Sequence, residues 1–442
     1  MNIDSLDPNL FAPASRDAWL KLVNRALKGA DFEGALVSRT DDGIAIQPLY
    51  ARHLDATPLP RRRIDAPWTI SQRMDDPDIE RAFTQLDADL ANGAGGVHLL
   101  SKTSSSAFGI GIDAEADRLA AKLAAALSGK DISLRLDGFS PALAGSSKLA
   151  GLHAGLDMFT PSQATSELAS SFKRLLDAGL AGTILNADGR AIHNAGGTEA
   201  QELAVVAASL VAHLRLLEQA GSAPEAILNA TSLCLSADQN QFVTMAKARA
   251  ARMLFARIAE ACGISNPPRA HLFMETSYRM LTRLDPETNI LRNTIAVFAA
   301  GTGGADEISV LPHTLTHGIP DPLARRLARN TQTVLIAESH LDHVIDPAAG
   351  AGGIEALTEA LAEKAWEIFV GIERDGGLAT MIASGRLAAM VAEARASRVA
   401  KPIVGTTLFA MKTERPVVVL GALGAVTAGM GLRPVRLDEV GA

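Results

Sequence analysis

Residues 226–277 read AILNATSLCLSADQNQFVTMAKARAARMLFARIAEACGISNPPRAHLFMETS, and their reading decides the fold. A short apolar run closes on Ser-Ala-Asp, a long helical pattern follows, and a second apolar run closes on Glu-Thr-Ser. Such alternation is the mark of an α/β chain. The pattern extends in both directions. Apolar runs stand at GGVHLL (95–100), DISLRLDG (131–138), GLHAGLDMF (151–159), GTILNADG (182–189), EISVLPHT (307–314) and DHVIDP (342–347). Helical patterns separate most of them, among them DIERAFTQLDADLANGA, AEADRLAAKLAAALSG, ATSELASSFKRLLDAGL, TEAQELAVVAASLVAHLRLLEQAG, ETNILRNTIAVFAAGTGG and LARRLARNTQTVLIAES. Eight runs with interleaved helices predict a (β/α)8 TIM barrel over residues 66–395. A doubly wound open sheet is the alternative, but no Gly-x-Gly-x-x-Gly turn follows the first run.

Polar residues cluster just after the runs: Asp137, Asp188, Asp238, Glu275, Thr276, His313 and Asp346. In a barrel this end is the mouth, where chemistry sits. An Asp after a strand also serves simply to cap the next helix. Asp188, His193, Asp238, Glu275 and His313 are the mouth candidates.

The 442 residues carry 42 Lys+Arg against 49 Asp+Glu, a formal net charge of -7. That balance disfavours a nucleic-acid partner, since a phosphate backbone rewards clustered positive charge. The short basic run PRRRID (60–65) reads as a solvated connection or a partner contact. Cys234 and Cys262 cannot form a disulfide framework and fit a reducing, cytoplasmic setting. No apolar run reaches the length of a membrane span, and the polar, acidic start does not read as a signal peptide.

Residues 1–65 read as an N-terminal arm. SRDAWLKLVNRALKGADFEGAL is a helix with Ser15 as N-cap and an apolar stripe of Trp19, Leu20, Leu22, Val23 and Leu27. LVSRTDDGIAIQPLY is a hairpin turning on Asp42-Gly43. These pieces bury too little to stand alone, so they wrap over the barrel or a partner. Residues 396–442 read as two short strands, PIVGTTLF and RPVVVL, and a Gly-rich tail or linker.

APWTISQR (66–73), DGRAIHNAGGTEAQELA (188–204), MAKARAARMLFARI (245–258), LTRLDPETNILRNTIAVFAAGTGGADEISVLPHT (281–314) and RRLARNTQTVLIAESHLDHVIDPAAGAGG (325–353) together resemble the substrate barrel of the methylmalonyl-CoA mutase family, the adenosylcobalamin-dependent acyl-CoA mutases. ALKGADFEGALVSRTDDGIAIQPLYAR and VLPHT resemble the small (β) subunits in particular. The resemblance spans nearly the whole chain. It implies a barrel that threads CoA along its axis, HVIDP as eighth strand, and Arg329, Asn330 and Gln332 on the helix before it.

The departures from the family pattern carry the functional expectation. The family's catalytic histidine stretch, Gly-Tyr-His-Met-Gln-Glu-Ala-Gly, is here Gly189-Arg190-Ala191-Ile192-His193-Asn194-Ala195-Gly196. The histidine position is Ala191, and His193, two residues on, is a substitute candidate. Arg63 stands at the position aligned with the family's tyrosine. MFTPSQATSE (158–167) has nothing like the family's Arg-Asn-Thr-Tyr motif, and no cobalamin-ligating Asp-x-His-x-x-Gly occurs. The loop DPAAGAGG is stripped to small residues.

The expectation is therefore a small subunit that is itself inactive and binds no cofactor. It would form a heterodimer with a large (α) subunit through the arm. That partner would carry adenosylcobalamin and interconvert (R)-methylmalonyl-CoA and succinyl-CoA by a radical route, a step of propionate metabolism. Acyl-CoA is a further candidate ligand; nucleic acid and membrane are not expected partners. Two alternatives remain: an active mutase barrel served by a separate cobalamin-binding protein, and a diverged barrel with another ligand. His313 and His317 stand four apart, but without a metalloprotease Glu they make a poor metal site. SKTSSS (101–106) reads as a mouth loop, and His340 and His343 as a surface turn.

Overall fold

The structure, a computed structural model, describes residues 14–146, 151–159 and 165–440. A small antiparallel hairpin comes first, β1 (Ser38–Arg39) and β2 (Ala45–Ile46). Eight parallel strands follow: β3 (Thr69–Met74), β4 (Gly96–Leu100), β5 (Ser133–Asp137), β6 (Leu152–His153), β7 (Leu185–Asp188), β8 (Thr231–Ala237), β9 (His271–Thr276) and β10 (Glu307–Ser309). Their order is β6-β5-β4-β3-β10-β9-β8-β7, and a parallel bridge between Leu156 and Leu185 joins the two ends into a barrel. Each strand is followed by a helix, from Ile79–Ala91 after β3 to Pro322–Ala337 after β10.

The membership of the ring differs from the sequence expectation. The first strand is TISQRM, not GGVHLL, and DHVIDP forms no strand. Val344 and Ile345 are exposed, at 55% and 42%, in a bend region rather than a sheet. Asp346 accepts from the Leu59 amide at 2.8 Å and pairs with Arg249, so it ties the chain entering the barrel to the helix Gln241–Ala261. The expected placement of Arg329, Asn330 and Gln332 on a helix holds, in Pro322–Ala337. Gln332 accepts from the Trp68 indole at 3.2 Å and donates to the Ile308 carbonyl, and Arg329 pairs with Asp89 at 2.6 Å.

The small residues of PAAGAGG have a packing cause. A Cβ on Gly352 would overlap the Ala51 carbonyl, and one on Gly353 would press on the Tyr50 ring at 3.2 Å. The connection from the hairpin lies directly on this loop, and His53 donates to the Gly350 carbonyl.

Helices Gly352–Arg374, Gly377–Ala383 and Arg386–Ser397 add a layer outside the barrel, the first packing on Glu199–Gln219 and Gln241–Ala261. Helix Glu199–Gln219 is long and apolar enough to cross a membrane; here 72% of its apolar window is buried within the protein. The arm helix, Arg16–Leu27, begins as expected at Ser15, which accepts from the Ala18 amide. None of its residues is buried, and the Trp19 ring meets that of Phe32 edge to face at 6.2 Å. The hairpin turn is anchored instead. Asp42 accepts from the Ala200 amide at the start of Glu199–Gln219, and Asp41 pairs with Arg398 at 2.9 Å.

No strand forms among the described residues beyond 396, contrary to the two expected there. Only isolated bridges occur, such as Pro320 with Val419. This tail is not a free linker. Leu420 donates to the Ile319 carbonyl, Gly424 to Gly109, Thr427 to Lys102, Val435 to Asn194 and Leu437 to Arg279. Those partners lie on the connections that follow β4, β7, β9 and β10, so the segment 419–437 crosses the barrel mouth as a strap.

Candidate functional site: a charged, filled barrel

Side chains alternate across a strand, and one set of each barrel strand faces the lumen. Here that set is polar. The outward set, such as Leu134, Leu136, Leu233, Leu235, Leu272 and Met274, joins the helix-facing core. The lumen set includes Ser71 and Arg73 on β3, His98 on β4, Arg135 and Asp137 on β5, Asn186 and Asp188 on β7, Ser232 and Cys234 on β8, and Glu275 on β9. Phe273 and, by the same alternation, Leu100 on β4 are its large apolar members, whereas most TIM barrels fill this space with branched aliphatics.

Arg135 occupies the middle. Its guanidinium gives two bonds to Glu307, at 2.9 and 2.8 Å, across the barrel from β5 to β10. It also donates to Asn186 and Ser232, both at 3.2 Å, and stacks 4.2 Å from the centre of the Phe273 ring. Burial opposes the charge of Glu307, yet Arg135 holds its carboxyl below the usual range. The Cys234 thiol is beside this pair, and burial pushes it up to about 12, so it is inert as a thiolate.

Above Phe273 lies a second layer. Arg190 donates to Asp188, to Asp137 at 2.7 Å and to Glu275 at 3.3 Å. Arg73 reaches Glu275 and Asp75, at 2.5 and 2.7 Å, and His98 sits between Asp137 and Glu275. Burial disfavours charge on Asp137 and Glu275, but their cationic and hydrogen-bonding neighbours outweigh it and keep both carboxyls below the ordinary range. Asp188 is raised instead, burial being its largest influence. Arg135, Arg190, Arg73, His98, Phe273 and Glu275 are each no more than 3% exposed. A channel wide enough for water would expose them, so this lumen is filled.

The expected mouth residues therefore divide. Asp188 and Glu275 meet around Arg190, together with Asp137. His193 and Asp238 belong to a separate buried network. His193 Nε2 lies 2.8 Å from Ser277 Oγ, its Nδ1 faces Glu199 and Glu202, and Arg279 bridges Glu199 to Asp238. His193 is fully buried. His313 joins neither group; burial lowers its pKa, and its carbonyl accepts from Asn289. His317 bonds the Arg283 carbonyl. Arg63 is exposed at the barrel foot, where its amide approaches Asp306 just before β10. Ala191 follows β7 at the mouth, so Arg63 cannot share a site with it, and its alignment with the family's tyrosine fails on position.

The residues missed from sequence are Arg73, His98, Arg135, Arg190 and Phe273. Arg190 had a local signal, an arginine two residues after a strand-end aspartate. The strap completes the closure. A Cβ on Gly429 would lie 2.5 Å from Ser105 Cβ and 2.9 Å from Ala191 Cβ, so the tail occupies the space above position 191.

A family model described as methylmalonyl-CoA mutase matches residues 161–420, more than half of the chain. The chain belongs to the methylmalonyl-CoA mutase family. A methylmalonyl-CoA mutase small subunit of Streptomyces virginiae is 34% identical, over 97% of this chain and 75% of that protein. A probable methylmalonyl-CoA mutase small subunit of Mycobacterium tuberculosis is 44% identical over 48% of this chain and 35% of its own length. The small subunit from Porphyromonas gingivalis is 30% identical, over 83% of this chain and 64% of that protein. The matched stretches thus span three quarters of the first relative and less than two thirds of the other two.

Proposed function

We propose that this chain is a non-catalytic small subunit of methylmalonyl-CoA mutase. It would pair with a large subunit that binds adenosylcobalamin and converts (R)-methylmalonyl-CoA to succinyl-CoA. The observation that carries the reading is the lumen. The family resemblance implies a CoA chain threaded along the barrel axis, and here Arg135, Glu307, Phe273 and Arg190 occupy that axis. Opening a path would separate several buried ion pairs, and leaving such a charge unpartnered costs roughly 3–5 kcal/mol each. Alanine at position 191 leaves no imidazole for acid–base or hydrogen-bonding work beside a thioester. The names of the relatives support the subunit assignment, and the unburied face of the arm helix supports a partner.

The test is co-expression with a candidate large subunit, followed by purification through a tag on this chain. The expected outcome is an equimolar complex whose cobalamin and activity require only the large subunit's site. The chain alone should show no cobalamin absorption after dialysis and no heat of binding with methylmalonyl-CoA. Stoichiometric acyl-CoA binding by the isolated chain would overturn the non-catalytic reading.

A further inference from the structure

The barrel foot, opposite the mouth network, holds a group that the proposed function does not use. His153 lies at the end of β6, His271 begins β9 and Glu307 begins β10. One ligand-capable atom from each lies within 4.8 Å of those from the other two. β6 faces β9 and β10 across the lumen, so closure of the ring, not local sequence, brings the three together.

Each member is set up to accept a cation. Glu307 is 1% exposed, and Arg135 takes only its Oε2. Its Oε1 makes no well-formed hydrogen bond, although the Ser71 hydroxyl acts on the carboxyl. The two rings lie 4.4 Å apart. His271 Nδ1 is 3.2 Å from Ser232 Oγ and His153 Nδ1 is 2.8 Å from Thr183 Oγ1. The Nε2 atoms make no hydrogen bond among the described residues. Burial, then the charge of Arg135, lowers His153 to about 3; burial, then His153 and Arg135, takes His271 well below its ordinary value.

We propose that His153, His271 and Glu307 form a binding site for one divalent transition-metal ion of the zinc class. Two imidazoles and a carboxylate suit such an ion, with a position left for water. The hydroxyls of Ser232 and Thr183 supply the outer bonds that orient ligating histidines. His153 must then give its Nδ1 proton to Thr183 Oγ1, in place of accepting from the Thr183 amide 3.2 Å away. His271 is half-buried, whereas His153 and Glu307 are buried. Positive neighbours oppose any cation: Arg135 is paired with Glu307 and Arg252 with Asp306 at 2.9 Å, while Arg62, which also bears on both imidazoles, donates to the Asn229 carbonyl. Magnesium or calcium, which need several oxygens, find one carboxylate here. The other close group, His193, Glu199 and Glu202, differs in kind: the Lys247 ammonium already bonds both carboxylates.

The experiment counts zinc on the full chain, stripped with chelator, equilibrated with zinc and dialysed. We expect one zinc per chain in wild type and in His340→Gln, a control in the exposed pair His340–His343. Affinity should fall at least ten-fold in His153→Gln and in His271→Gln. X-ray absorption at the zinc edge of the wild-type chain, which depends on no variant folding, should report two imidazoles and no sulfur. The proposal is overturned if wild type retains no stoichiometric zinc, if sulfur appears in the coordination shell, or if both foot variants bind as wild type does.

Discussion

Asp42 is a single carboxyl that couples the arm to pH. Burial raises it from 3.8 to about 6, against the bonds it accepts from Thr198 and the Ala200 amide. The folded state therefore holds this proton where the unfolded chain has lost it. Stability from this group is full below pH 3.8 and falls as pH rises to about 6. Asp42→Asn keeps the acceptor and removes the charge. It should melt higher than wild type at pH 7.5, by about 1–3 kcal/mol, with the gain vanishing near pH 4. Thermal melts across that range decide it, and a constant difference would refute the assignment. Arg135 gives the opposite case, a charge the fold needs. Arg135→Met strands Glu307 and should cost about 3–5 kcal/mol in urea unfolding. The double replacement Arg135→Met with Glu307→Leu should recover at least half of that, since removing both charges together leaves neither one unpaired. Equal losses in the single and double variants would mean that packing, not charge, sets the cost.

Among the elements, the strands show what a sequence reading can and cannot see. Runs whose outward face is leucine, such as 131–138 and 226–238, stand out as apolar. TISQRM hides because its inward positions are Ser71 and Arg73 and its outward Gln72 bonds Asp89 and the Arg325 carbonyl. A polar lumen inverts the usual signal, in which polarity marks solvent. DHVIDP failed the other way, its two aliphatics being exposed. The mouth was half legible: acids at strand ends were visible, but the arginines that gather them come from β3, β5 and the turn after β7, and only closure of the ring unites them. The strap was not legible, because Gly-rich chain that packs and Gly-rich chain that links have the same composition. Its packing can be tested. Gly429→Val should collide with Ser105 and Ala191, cost about 1–3 kcal/mol, and raise hydrogen exchange across 419–437. Ala191→His should loosen the same segment without conferring mutase activity on the chain. Unchanged exchange in both variants would mean that the strap does not rest on position 191.

On the scale of the whole molecule, the arm helix and the barrel differ in what holds them. The barrel is closed on itself by core packing and buried ion pairs. The arm helix shows Trp19, Leu20, Val23 and Leu27 half-covered and Leu22 61% exposed. A 12-residue helix is marginal without further packing. Trp19→Asp should leave the barrel's unfolding midpoint within about 1 kcal/mol of wild type. The same change should weaken association with the large subunit at least ten-fold in titrations followed by sedimentation. Normal pairing by this variant would remove the arm helix from the interface.

The ring is not equally joined all round. β3 and β10, far apart in the chain, share a three-residue register, whereas the circle between β6 and β7 is completed by the bridge of Leu156 with Leu185 and by the bonds of Ala154 to Thr183, Leu156 to Ile184 and Asn186 to Leu156. A cut between Met158 and Thr165 would fall outside every ladder of the described residues. It would leave two half-barrels, one carrying β3–β6 and the other β7–β10, each with half of the lumen's charges exposed. Arg135 would lie on the first fragment and Glu307 on the second. Such fragments are natural partners for one another: produced separately, each should be insoluble or loosely folded, and mixed they should reassemble, drawn together by the same pairs that block the axis of the intact protein.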